Sequence, residues 1–349
     1  MTSSHKKFRA RGLGLVELMI AMAIGLLLSA ALVQAYIGSR TSFQLQDSVS
    51  VVQENGRFAV SYLAKELRMS GYIGCAKLSR TAVNNVATAG AADVPVPFNA
   101  SQIIRAGTAT STAINLASLN TVNGTQVLLV RKASSISAHL KNGMAGSAAS
   151  ISLTDNAPGL AVGDYALISD CSYADLFNVT SLSGGANGTP VTMGHSGTFL
   201  RPGGYGSDAE VMAFESTYYY IADTTRKTKS RGLPIYSLYM KTRAAGSGGL
   251  SNAVELVEGV QDMSIRLGLD TDNDQNVDTY VDSGSMTTTQ WSQVVSIQIN
   301  LLMQSTDDTA TPTSGNFAQP ITLLNGQIQQ ADGRLRQQFT TVVAVRNQL

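Results

Sequence analysis

Residues 13–33 read LGLVELMIAMAIGLLLSAALV, an apolar run interrupted by one charge, Glu17. As a helix these 21 residues span roughly 31 Å, about the hydrocarbon thickness of a bilayer. Ahead of the run stand Lys6, Lys7, Arg9 and Arg11 with no acidic residue among the first twelve. Such a cluster keeps the N-terminus cytoplasmic by the positive-inside rule, so the chain beyond residue 35 is expected to cross the membrane.

Three readings fit the apolar run. A secretory signal peptide would use 18–32 as its hydrophobic region and be cut after Ala35, where Val33-Gln34-Ala35 offers small flanking residues. A plain anchor would keep the whole run. Neither accounts for Glu17, because a carboxylate in an apolar span costs about 2.5–3.5 kcal/mol on insertion scales and needs a partner. A positive charge at the chain's own start, or at a neighbour's, is the natural one.

Downstream, Leu45, Val49, Val52, Ala59, Leu63 and Leu67 recur at helical steps, with Gln44, Asp47, Gln53, Glu54, Arg57 and Lys65 on other faces. Gly71, after Met69-Ser70, suits a left-handed C-terminal position. One helix over about 13–69 would run roughly 85 Å, laying its second half on a globular head.

After Gly74 the composition shifts to Ala, Ser, Thr, Asn and Gly, so 76–125 and 142–160 are predicted as loops and weak strands. Strands are predicted at 127–132, 165–169, 211–221, 235–241, 263–269, 295–303 and 339–345. Met263, Ile265 and Leu267 alternate with Ser264 and Arg266, and Val295, Ile297, Ile299 and Leu301 with Ser296, Gln298 and Asn300, as in antiparallel strands with one buried face. The expected architecture is α+β: a 1–12 basic leader, a 13–35 membrane-spanning half-helix, a 36–70 amphipathic half, and a 71–349 β-rich headpiece. That head is large enough to need insertions or a second β-layer.

Composition excludes several classes. The 349 residues carry 14% charged side chains, low for a cytosolic enzyme and in keeping with export. The net charge is +1, and beyond residue 12 there are 21 basic against 24 acidic residues, which gives no basic footprint for nucleic acid. Two cysteines far apart preclude a Cys-x-x-Cys site, and His5, His139 and His195 are scattered.

Gly12-Leu13-Gly14-Leu15-Val16-Glu17, between a basic leader and an apolar helix, resembles the type III signal of type IV prepilins and pseudopilins. The resemblance implies cleavage between Gly12 and Leu13, N-methylation of Leu13, and a role for Glu17 in neutralising a neighbouring subunit's amino terminus during assembly. Gly14 departs from the usual Thr or Ser and weakens the first helical turn. Further stretches are similar to PilW-type minor pilins: Glu54-Asn55-Gly56-Arg57-Phe58, Leu63 to Arg68, Gly71-Tyr72-Ile73-Gly74-Cys75, Ser169-Asp170-Cys171 with Ala174 to Phe177, and the strand at 294–302. The J-type minor pseudopilin of type II secretion shares the general plan and is the alternative. A PilW-type identity implies a non-catalytic subunit of a minor-pilin complex that primes pilus assembly and supports a tip adhesin, serving adhesion and twitching. Its implied partners are other minor pilins, the major pilin, the prepilin peptidase and the inner-membrane assembly platform. The implied location is the inner membrane with a periplasmic head, then the pilus tip.

Cys75 and Cys171 both fall on the oxidising side. A disulfide fastening the helix end to the sheet is expected, against the alternative of two buried thiols. Asp270, Asp272, Asp274, Asn276 and Asp278 place oxygens at alternating positions of one loop, a pattern suited to Ca2+ and similar to short calcium loops of pilus-tip adhesins and pseudopilins. Gln275 stands where an EF-hand needs glycine, and a solvated acidic turn is the plainer reading. No other cofactor is implied. Tyr218-Tyr219-Tyr220 reads as strand before binding patch, Gly194-His195-Ser196-Gly197 lacks the nucleophile-elbow spacing, and Gly203-Gly204-Tyr205-Gly206 reads as a turn.

Overall fold

The computed structural model describes residues 14–78, 80–88, 94, 98–108, 119–184, 190–246, 249–314, 320–324 and 326–345. Gly12 and Leu13, the expected cleavage site, and the 1–12 leader lie outside the described residues. Helix α1 spans Leu15–Arg68, 54 residues without proline. Lys65 and Arg68 sit in its last turn, where cations favour the helix dipole. It ends at Met69, and Gly71 takes φ +69°, a conformation that costs glycine little.

The two halves of α1 have different surroundings. No residue from 14 to 47 is buried, and burial begins at Ser48, continuing through Val52, Gly56, Ala59, Leu63, Ala64 and Leu67. The expected stripe is therefore corrected at its upstream end. Leu45 is 38% exposed and Val49 only half-buried, because the contact with the sheet core starts a turn later. Ser48 and Gly56, which apolar counting passes over, complete the seam.

Ten strands form one large sheet. In chain order they are β1 (Val83–Asn85), β2 (Ile104–Gly107), β3 (Val127–His139), β4 (Ile151–Leu153), β5 (Tyr165–Ser169), β6 (Ala174–Gly184), β7 (Val191–His195), β8 (Glu210–Lys227), β9 (Pro234–Arg243) and β10 (Val254–Glu258). β8 is the spine: β3 pairs along one edge, while β5 and then β9 pair along the other, all antiparallel. β1 pairs β6 in parallel. Tyr218, Tyr219 and Tyr220 are all buried on β8, two-sided packing rather than a surface patch.

A second sheet holds β11 (Val260–Leu269), β12 (Thr279–Asp282) and β13 (Val294–Gln304); a small hairpin, β14 (Ile321–Thr322) and β15 (Ile328–Gln329), precedes its last strand, β16 (Arg336–Ala344). Its order is β12-β11-β13-β16. Register aligns Met263, Leu301 and Phe339, and likewise Leu267, Ile297 and Val343, so their side chains share one face. That face and the α1 seam belong to one core with Leu63, Leu67, Phe214 and Tyr219. Each aliphatic side chain fully buried there contributes about 1.5–3 kcal/mol. A second core lies between β4–β7 and the 199–209 segment, around Phe177, Met193, Phe199 and Tyr205.

Candidate functional site

At the start of α1, the Glu17 carboxylate turns back on the chain and accepts the Gly14 N–H at 3.1 Å. A carboxylate in the first turn satisfies a backbone donor that has no intrahelical partner and suits the positive end of the helix dipole. The bonded N–H belongs to the residue after Leu13, so the carboxylate stands beside the place where cleavage after Gly12 would create an amino group. From Leu15 to Ile37 the apolar side chains around it are exposed all round, and α1 is long and apolar enough to cross a membrane.

The other end of α1 is clamped. A Cβ on Gly56 would overlap the Phe339 ring, so glycine is what allows β16 to approach the helix. Asn55 Nδ2 donates to the Glu258 carbonyl at 3.2 Å, capping the end of β10. Lys132 Nζ lies 2.7 Å from Glu66 Oε2 and links the last turn to β3, beside an edge-on contact between Tyr62 and Tyr219. Burial, against the opposing influence of Lys132, holds the neighbouring Glu215 carboxyl above its ordinary range. Beyond the helix, the Gly71 N–H donates to Arg131 O at 2.8 Å and the Ala133 N–H to Tyr72 O at 2.7 Å, stitching the chain onto β3.

Cys75 and Cys171 are joined as a disulfide, with Cα atoms 5.0 Å apart. Cys171 lies in the β5–β6 turn, which Asp170 shapes by accepting the N–H groups of Ser172 and Tyr173 and by pairing with Arg201. The bond thus ties the segment after α1 to the large sheet.

The β11–β12 loop gathers three carboxylates, Asp270, Asp272 and Asp278, with oxygens within 4.8 Å of one another. Asp274 and Asn276 do not join them: Asn276 Nδ2 donates to Asp274 Oδ2 at 2.9 Å and its N–H to Oδ1 at 2.8 Å. Asn273 and Gln275 take positive φ, and the Gln275 N–H reaches Asp270 Oδ2 at 2.8 Å. Desolvation and the neighbouring carboxylates raise Asp272, whereas hydrogen bonds from Thr271 lower Asp278. A cluster in which one carboxylate resists ionisation has the donor chemistry for a hard cation.

The minor motifs are structural. His195 stacks on Phe199 at 3.9 Å with Nε2 2.9 Å from the Ala149 carbonyl oxygen, and Gly203 and Gly204 form a positive-φ turn. Sequence reasoning did not find Gly56 opposite Phe339 or Glu66 opposite Lys132. A glycine in mid-helix, which weakens the helix unless something packs there, was the available signal for the first.

Compared with known families, residues 218–347 match the family model for type IV pilus-assembly protein W, and residues 7–33 match the prokaryotic N-terminal methylation motif. The first match covers the spine strand from Tyr218 onward and the sheet bearing Phe339; the second covers Gly12, Leu13 and Glu17. No curated protein matches the chain. Over 218–347, which includes the strand that packs on α1, the chain is similar to pilus-assembly protein W, and over 7–33 to the N-termini of methylated prepilin-type proteins.

Proposed function

We infer that this PilW-type chain is a minor pilin of a type IV pilus: a precursor held in the inner membrane by the first half of α1, cut between Gly12 and Leu13, methylated on Leu13, and inserted into a filament through Glu17. The observation that supports this most is Glu17 itself. A charge that would be expelled from a plain anchor is kept in the first helical turn, against the backbone beside the expected new amino terminus. Within a helical bundle, that carboxylate neutralises an N-terminal ammonium of its own or an adjacent subunit.

The head then serves as a rigid contact body for other minor pilins and a tip adhesin, and its work is assembly, not catalysis. The bare half of α1 is buried by lipid before assembly and by neighbouring helices afterwards. The Asp270, Asp272 and Asp278 cluster holds Ca2+ in this reading and rigidifies the β11–β12 loop.

Intact mass and N-terminal sequencing of the protein from its native membrane test the proposal. A chain starting at methylated Leu13 supports it. A start at Tyr36 makes it a secreted protein, and a retained Met1 in peptidase-competent cells makes it a plain anchor. Capture of secretion-machine subunits in place of minor pilins would move it to the type II secretion pseudopilus.

A further inference from the structure

β16 ends the second sheet, and its outer edge is open. Nine consecutive residue pairs, Ser296 with Ala344 through Gln304 with Arg336, join it to β13 without a shift in register. The Ser305 N–H donates to Leu335 O just before these pairs, and the Val345 N–H donates to Val295 O just after them. The odd-numbered residues of β16 therefore turn their N–H and C=O groups inward to β13, and the even-numbered ones turn theirs outward. Gln338, Thr340, Val342 and Ala344 are exposed, and their outward backbone groups bond to no described residue.

The other edges of the two large sheets are blunted, as sheets ordinarily are against unwanted pairing. Among the described residues, β1 and β4 have three residues each and β2 has four. β12 has four and ends in Asp282; β10 has five, with a register break and the charges of Glu255 and Glu258. From Gln337 to Ala344, by contrast, β16 has no charge, proline, glycine or bulge, and Val342 stands 54% exposed.

The direction of α1 identifies what covers this edge. Two copies joined antiparallel through β16 would be related by a dyad normal to the continuous sheet. α1 lies along one face of that sheet, with Gly56 against Phe339, so the dyad would point the two helices in opposite directions. Both could not then enter one membrane from the same side. A copy with its helix co-directed would offer β12 instead, whose four residues reach less than half of the nine in β16. We propose that β16 is a β-augmentation site, completed by an extended segment of about seven residues from a different subunit in the same membrane. The backbone of that segment answers the donors and acceptors of 338–344. Its side chains are uncharged, with a β-branched or aromatic residue opposite Val342, the cross-strand pair that such an exposed valine favours. The added strand extends the sheet that carries α1, and so sets the position of one head against the next. This proposal rests on the membrane-inserted reading of α1.

The test places the photocrosslinker p-benzoylphenylalanine at Gln338, Thr340 or Val342 of the full-length chain in its native cells and maps the attachment sites by peptide mass spectrometry. The expected result is one segment of a different chain, with attachment sites that move by about two residues from each position to the next. Scattered sites, or no adduct in cells that incorporate the chain into filaments, overturn the proposal. Adducts between two copies of this chain assign the edge to self-association and overturn the occupant. Val342→Pro tests the backbone bonds, because the Val342 N–H points outward and proline is tolerated at such edge positions. It is expected to leave urea unfolding in detergent unchanged and to lower incorporation into sheared filaments on the order of tenfold. Thr340→Lys with Val342→Lys, which blunts the edge by charge, is expected to lower incorporation similarly. Wild-type incorporation of the lysine variant overturns the site, even where the proline variant proves unstable. A wild-type chain that carbonate extracts from the membrane overturns the inserted reading as well, whereas a carbonate-resistant chain without adducts overturns this site alone.

Discussion

The first half of α1 and the second half are one continuous helix with opposite means of support. From Leu15 to Ile37 the apolar side chains are covered by no described residue, whereas from Ser48 to Leu67 one seam is buried against a sheet and the other faces are mostly polar, with Val51 and Phe58 the exposed apolar exceptions. The contrast shows that the upstream half is designed for an apolar surrounding the chain does not supply, while the downstream half is complete within the fold. Changes upstream should therefore alter where the protein goes, and changes downstream whether its head holds together.

The strongest way to break that division is Glu17→Ala. Cleavage and head stability are expected to be normal, with incorporation into sheared filaments falling on the order of tenfold or more by immunoblot. Normal piliation, or a less stable head, would dissolve the separation. On the other side, Cys75→Ser with Cys171→Ser opens a loop whose ends are 96 residues apart, and the chain-entropy relation gives about 4.7 kcal/mol for that closure. Urea unfolding of the full-length protein in detergent should show a loss of this size with membrane insertion unchanged.

A smaller effect sharpens the seam. Gly56→Ala improves helix propensity by about 1 kcal/mol but forces a methyl group into the Phe339 ring, for a net loss of roughly 1–2 kcal/mol in urea unfolding. In a Phe339→Ala background the same change should cost nothing or stabilise, since the opposing ring is gone. Additive losses in that cycle would mean the glycine serves something other than this contact. Smallest is the acidic loop, where Ca2+ at about three times its Kd would contribute about 0.8 kcal/mol, a rise of about two degrees in Tm. Asp272→Ala should abolish the rise; melting curves that superimpose with Ca2+ and with chelator would remove the ion from the proposal.

What could be read from the chain follows the range of the interactions. α1 was legible because composition and period act locally, and its observed limits fall within two residues of those expected. β11 and β13 were legible because one face is buried and the other wet. β6 was not, since Ala174, Asp175, Leu176 and Phe177 are all buried and show no alternation; Asp175 is satisfied by Tyr205 and the Leu200 N–H from distant segments. At the acidic loop the sequence offers five oxygen-bearing residues at alternating positions, but only Asp270, Asp272 and Asp278 draw together, because Asp274 and Asn276 bond each other, a local competition that counting oxygens does not register. Arg40 of α1 comes to line one groove with Lys227 and Lys229 of the β8–β9 hairpin, and nothing in either stretch signals the other.

The disulfide gives the head a defined load path. Tension on the N-terminal half of α1 reaches the head as shear along the Ser48–Leu67 seam, where the buried contacts share it in parallel rather than unzipping one by one. Beyond Arg68 the Gly71 and Tyr72 backbone bonds to β3 take up the strain, and past them the chain meets a covalent stop at Cys75. A force strong enough to slide the helix is then passed across the crosslink to the β5–β6 turn, and the chain between Cys75 and Cys171 cannot be drawn out into an extended thread.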